Sequence, residues 1–310
     1  MFMSPFLLPE TYPAFADLPV QRIAAGPLDE KLAVHRHGDE ADRRPPLVCL
    51  AGFQRNMADF ADFVRLFPRL AGEDWPVILI DLKGRGRSDP RRNKALYTTT
   101  EDARDVVSVL AALGVGRAFF LGQGHGGLVI EILAREAPSL VAGTILVDAG
   151  PLIDTRGLVR LKNNLADLEG RRTETAFKAM VRRALSADYP MLGDARLDVL
   201  AARTHFLDKG GRVRALFDPH LGEMLKLIEH DDELKSQWPL YDGLAIAPLL
   251  LVRTQRTDLV RRDVFEEMVK RRPDVRLHLI EGQGSPALFD TIADVEPVAH
   301  FIAGVGKARG

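Results

Sequence analysis

Cysteine is nearly absent: Cys49 is the only one in 310 residues, so no disulfide can form within the chain. It lies in the apolar run Leu47-Val48-Cys49-Leu50, which reads as a buried strand holding an inert thiol. Excess charge is absent too. Forty-two Lys and Arg against 43 Asp and Glu leave a net charge of -1, which excludes the basic footprint of a nucleic-acid-binding protein. No uncharged run reaches the roughly 18 residues that a membrane helix needs, so no membrane partner is expected. The apolar start, Met1 to Pro9, is broken by Pro5 and Pro9 and lacks a basic n-region, so no signal peptide is expected there. A cytoplasmic location follows by default. Internal repeats and low-complexity tracts are also missing.

What is present is apolar material in a particular arrangement. Hydrophobic residues make up 46% and charged residues 27%, enough for a large buried core in an α/β fold carrying an insertion. Short, continuously apolar runs alternate with amphipathic helical patterns, the sequence form of a mostly parallel sheet covered on both faces by helices. The expected strands are Leu47–Leu50, Val77–Ile80, Ala118–Leu121, Thr144–Val147, Leu249–Val252 and Arg276–Ile280. Val20–Ala24 and Leu32–His37 suggest a leading antiparallel hairpin around Gly26-Pro27. A helix is expected over Glu101–Leu113, with Thr98 to Thr100 as N-cap and Gly114 closing it, and another over Leu128–Ala137, stopped by Pro138. From Leu152 to Asp242 the strand signal disappears and charged helical patterns take over, at Ala176–Leu185, Leu197–Ala202 and Leu221–Ile228. Basic and acidic side chains are equal in number there, so this stretch is no electropositive platform. The expected organisation is a core of residues 1–151 and 243–310, with a helical lid inserted at 152–242.

Four separated segments carry chemistry-bearing spacing. Cys49-Leu50-Ala51-Gly52-Phe53 is a strand end followed by a turn. Asp81-Leu82-Lys83-Gly84-Arg85-Gly86-Arg87-Ser88-Asp89 follows the next strand but lacks the spacing of a phosphate-binding P-loop. Gly122-Gln123-Gly124-His125-Gly126-Gly127 joins a strand to a helix. The fourth pairs Arg253-Thr254-Gln255-Arg256-Thr257-Asp258 after one late strand with Glu281-Gly282-Gln283-Gly284-Ser285-Pro286 after the next, behind a Trp238-Pro239-Leu240-Tyr241-Asp242 lead-in. In this order and over the whole core, the segments resemble the α/β-hydrolase family, and the resemblance implies its fold. It also implies an oxyanion hole from the backbone N–H groups of Phe53 and His125, an elbow nucleophile at position 124, an acid at Asp258, and a histidine after Gly284.

Two of those positions depart from the family pattern. The elbow residue is Gly124, which fits a strained turn but offers no oxygen or sulfur for attack. At the histidine position stands Ser285, either a replacement or the flank of a deletion, and a hydroxyl cannot take and return a proton near pH 7. Asp258 then has no obvious imidazole to orient. His278 sits mid-strand, His125 follows the elbow with its ring expected to point into the scaffold, and His205, His220 and His230 belong to the lid. The leading expectation is a non-catalytic protein of hydrolase fold that binds a small molecule between core and lid, without metal or cofactor. One alternative is an enzyme acting on ester, C–C or C–X bonds through a non-standard site. Another is a dinucleotide-binding protein, since Gly122-x-Gly124-x-x-Gly127 also spells that fingerprint, with Asp148 ending the next strand.

Overall fold

A computed structural model describes residues 12–39, 41–72, 74–168, 173–208, 210–229, 232 and 234–307. The Met1–Pro9 stretch and His230 lie outside the described residues. The chain opens with the hairpin β1 (Gln21–Ala25) and β2 (Glu30–His37), then β3 (Leu47–Leu50), α1 (Ala61–Ala71) and β4 (Val77–Ile80). Next come α2 (Thr99–Ala112), β5 (Ala118–Gln123), α3 (His125–Glu136) and β6 (Val141–Val147). The stretch after β6 holds α4 (Thr155–Leu168), α5 (Glu174–Asp188) and α6 (Asp194–Ala202). It continues through β7 (His205–Leu207), β8 (Val213–Ala215), α7 (Pro219–Lys226) and α8 (Trp238–Gly243). The core then resumes with β9 (Leu249–Thr254), α9 (Arg262–Arg271), β10 (Arg276–Ile280) and α10 (Ile292–Lys307).

Eight strands form one sheet in the order β1-β2-β4-β3-β5-β6-β9-β10. β2 runs antiparallel to both β1 and β4, and the pairs from β4 through β10 are parallel. The core strands read as unbroken apolar runs because both faces are covered. Leu47, Cys49, Phe119, Leu121, Ile145 and Val147 pack on one side with Phe63 and Phe67 of α1 and Val298 and Phe301 of α10. Their neighbours Val48, Leu50, Phe120, Leu146 and Leu251 pack on the other, against Val106 and Leu110 of α2 and Val129 and Leu133 of α3. Alternation along each strand therefore sorts residues between two apolar layers instead of between core and water.

Helix ends follow local chemistry. Thr98 caps α2, its hydroxyl accepting from the Glu101 N–H at 3.2 Å, and Gly114 turns the chain out at φ +69°. Pro138 follows α3, which ends at Glu136. Several boundaries differ from expectation by a few residues, β6 starting at Val141 and β9 reaching Thr254. One expectation needs correcting: residues 152–242 are not free of strand, because β7 and β8 pair as an antiparallel hairpin. Three residues per strand give too short a period to register in the sequence. Among the described residues no helix is long and apolar enough to cross a membrane.

Candidate functional site

The parallel strands point their carboxyl ends at one edge of the sheet, where β5 hands over to α3. The residue between them, Gly124, has φ +49° and ψ -113°, a conformation that L side chains rarely adopt. Its N–H donates to the Val147 carbonyl at 2.9 Å, and its carbonyl accepts from the Gly127 N–H at 2.9 Å. The helix start lies directly on the strand ends. A Cβ at Gly122 would stand 2.4 Å from the Gly126 carbonyl carbon, and one at Gly126 would stand 2.3 Å from the Leu50 oxygen. At Gly124 the surroundings are open, since a Cβ would meet only Leu259 Cδ1, at 3.4 Å. The turn thus has the strain and the room that a projecting side chain needs, without the side chain.

Above Gly124 lies a cavity of about 410 Å³. Phe53, His125, Asp258 and Ser285 line it together with Gly124, so all five positions singled out by sequence border one space. Leu158, Leu161, Leu185, Met224 and Ile228, from the stretch between β6 and β9, supply much of the apolar wall.

The side chains around this cavity are committed in particular ways. Arg85, fully buried, donates from Nε to the Phe53 carbonyl at 2.8 Å and lies 3.3 Å from Asp102. Asp102 in turn accepts from His125 Nε2 at 2.9 Å. Burial would raise the Asp102 carboxyl, but Arg85, His125 and Arg91 together hold it below the usual carboxylate range. Burial lowers the His125 imidazole despite Asp102, favouring the neutral ring. One buried arginine–aspartate pair therefore braces both residues whose backbone N–H groups are the expected oxyanion donors.

Ser285 donates its hydroxyl to Asp148 Oδ2 at 2.8 Å. Asp148, at the end of β6, also accepts from the Thr254 N–H at 2.9 Å and the Thr254 hydroxyl at 2.7 Å. Burial pushes its carboxyl up to about 6 against these three donors. Asp258, in the loop after β9, is engaged elsewhere. Arg160 of α4 grips it through Nε at 2.5 Å and Nη2 at 3.0 Å, and reaches Asp188 at the end of α5 through Nη1 at 2.8 Å.

With this geometry in place, similarity to known proteins becomes informative. A profile of the α/β hydrolase fold matches residues 45–290. The chain belongs to the α/β-hydrolase fold family. A 3-hydroxybutyrate-oligomer hydrolase of Cupriavidus necator is 26% identical over 284 residues, covering 88% of this chain and 93% of that protein. An esterase of Mycobacterium tuberculosis is 26% identical over 219 residues, 69% of this chain and 70% of its own. Among solved structures, an α/β hydrolase from Novosphingobium aromaticivorans superposes with a TM-score of 0.78 at 28% identity, covering 92% and 98% of the two chains.

Within this hydrolase fold, His125 lines the cavity, and the other described histidines that the sequence put forward do not. His205 is buried between Phe177 and Phe217, with Nδ1 3.0 Å from the Thr204 hydroxyl, and burial lowers its imidazole to about 4. His220 stacks on Tyr97, and His278 is a half-buried residue of β10. The dinucleotide alternative loses its ribose acceptor, because the Asp148 carboxylate is taken by Thr254 and Ser285. Cys49 is buried, and burial raises its thiol well above the ordinary range. Among the described residues no group of three or more His, Cys, Asp or Glu side chains could hold a metal.

Sequence reasoning weighed Asp148 only as a ribose ligand and missed its bond to Ser285. A strand-terminal acid facing a position in the loop after the last strand was the available signal. Arg160 carried no signal, being one of two arginines on a charged helix.

Proposed function

We propose that this α/β-hydrolase-fold protein is a non-catalytic binder of a small, largely apolar, carbonyl-bearing molecule. The molecule would sit in the cavity between the core and the α4–α8 layer, which then acts as its lid. The observation that carries this reading is Gly124 beneath an open cavity. The turn that projects a nucleophile is present, and nothing at its apex can attack. The base position supports the same conclusion. Ser285 there donates to Asp148 and offers no ring nitrogen that could take a proton from one atom and return it to another. What remains is an apolar wall and two braced backbone donors able to hold a carbonyl oxygen.

Native mass spectrometry of the purified protein tests the reading directly, with a retained small molecule as the expected result. Incubation with p-nitrophenyl butyrate and a fluorophosphonate probe is the complementary arm. Neither turnover nor stoichiometric labelling is expected, and either would overturn the proposal. A second reading draws on the Ser285–Asp148 bond in the cavity wall, which would make Ser285 a displaced nucleophile. Labelling that maps to Ser285 would favour it.

A further inference from the structure

The family's acid position holds a carboxylate that, with no imidazole at position 285, has nothing to orient. We infer that Asp258 now serves as the anchor of a clasp, holding α4 over the cavity through Arg160. Three observations converge on this. Arg160 engages Asp258 with two nitrogens and Asp188 with a third, so one guanidinium ties the loop after β9 to both α4 and the end of α5. All three residues line the cavity. The backbone closes the same seam. The Asp154 N–H donates to the Leu259 carbonyl at 2.8 Å, and a Cβ on Gly157 would stand 2.7 Å from the Asp258 carbonyl oxygen, so α4 sits on this loop at glycine distance.

The degenerate histidine loop is tied to the same layer. The Gly284 N–H donates to the Asp188 carbonyl at 2.7 Å, and the Tyr189 hydroxyl to the Pro286 carbonyl at 2.6 Å. Both loops that would present a base and its acid therefore fasten the layer above them. Asp258 is a positioning residue in this arrangement, and release of Arg160 would widen entry to the cavity. The inference deepens the binding proposal and rests on it only for the statement about entry.

Hydrogen–deuterium exchange on the full chain tests the clasp without any ligand. Arg160→Met and Asp258→Asn should each speed exchange of the amides of residues 155–164 by about fivefold, the scale of a partly exposed, two-point ion pair. Because Asp258 acts only through Arg160, the double variant should exchange no faster than Arg160→Met alone. Arg182→Met breaks a pairing of the same kind to Asp194 and Asp198, which lies wholly within the α5–α6 region, and should leave residues 155–164 unchanged. Unaltered exchange in the first two variants, or equal acceleration by Arg182→Met, would overturn the clasp. Nile red association followed by stopped flow is a separate arm. Faster exchange with no dye entering any variant would count against the binding proposal and leave the clasp standing.

Discussion

Replacing Gly124 with serine restores the missing hydroxyl and nothing else, so its consequences can be worked out from the elbow. Sterically the change is mild, since the new Cβ meets a single atom, Leu259 Cδ1, at ordinary contact distance of 3.4 Å. The penalty is conformational. Holding an L residue at φ +49° and ψ -113° costs roughly 1–3 kcal/mol, and about 0.4–1 kcal/mol returns because serine has less freedom than glycine to lose on folding. A net loss of about 1–2 kcal/mol spread over an unfolding entropy of roughly 2 cal/mol/K per residue lowers the thermal midpoint by only ~1–3 °C. Calorimetry should therefore find a folded, slightly weakened protein. Its turnover of p-nitrophenyl butyrate should match that of the parent, because the introduced hydroxyl would face no imidazole to accept its proton. Adding Ser285→His supplies the ring on the residue whose hydroxyl already bonds Asp148, and measurable hydrolysis should appear only in this double variant. Turnover by Gly124→Ser alone would refute the reasoning, for it would mean that some other side chain of the protein already serves as base.

Glu131 on α3 is fully buried, neither carboxyl oxygen has a partner, and burial pushes its carboxyl up from 4.5 to about 8. An acid raised in the folded state contributes stability below its unfolded value that is lost as pH climbs through about 8, here on the order of several kcal/mol. Urea midpoints should fall more steeply between pH 5 and 9 in the parent than in Glu131→Gln, and parallel slopes would contradict this. Cys49 should resist Ellman's reagent in the native protein and react promptly in denaturant; fast native labelling would show that β3 is exposed. Gly157→Ala should lower the thermal midpoint by several degrees, since its Cβ collides with backbone at Asp258.

How much of this was legible in the sequence depended on how local each feature is. Leu47–Leu50 and Val77–Ile80 appear as strands with the expected bounds, because continuous apolar runs between helical patterns leave few other foldings, and Arg276–Ile280 matches its expected bounds as an alternating edge strand. Gly124 and its neighbours could be placed because an elbow is a contiguous motif. The committed partners of Ser285 and Asp258 could not. Asp148 is 137 residues from Ser285 and Arg160 is 98 from Asp258, and nothing in either local sequence names the other. The hairpin β7–β8 was hidden for the opposite reason, having too few residues to show any period.

The elbow also explains how a hydrolase scaffold can carry glycine at position 124 and keep its shape. Gly122 and Gly126 are fixed by contact between α3 and the strands, as both sites would put a Cβ within 2.5 Å of backbone. Those contacts concern the packing of a helix on a sheet and are indifferent to what stands at position 124. The brace formed by Arg85 and Asp102 behind Phe53 and His125 is equally independent of the nucleophile. Glycine at position 124 therefore takes without strain a conformation that would strain a serine, and the surrounding turn keeps its contacts. Asp102→Asn separates the two contributions. It should weaken the hold on the His125 ring and the salt bridge to Arg85 while leaving the glycine contacts intact. If the brace fixes the donors, the retained molecule should be lost from the native mass spectrum of a protein that still unfolds cooperatively. If the spectrum is unchanged, the glycine packing alone is sufficient and the brace plays no part in binding.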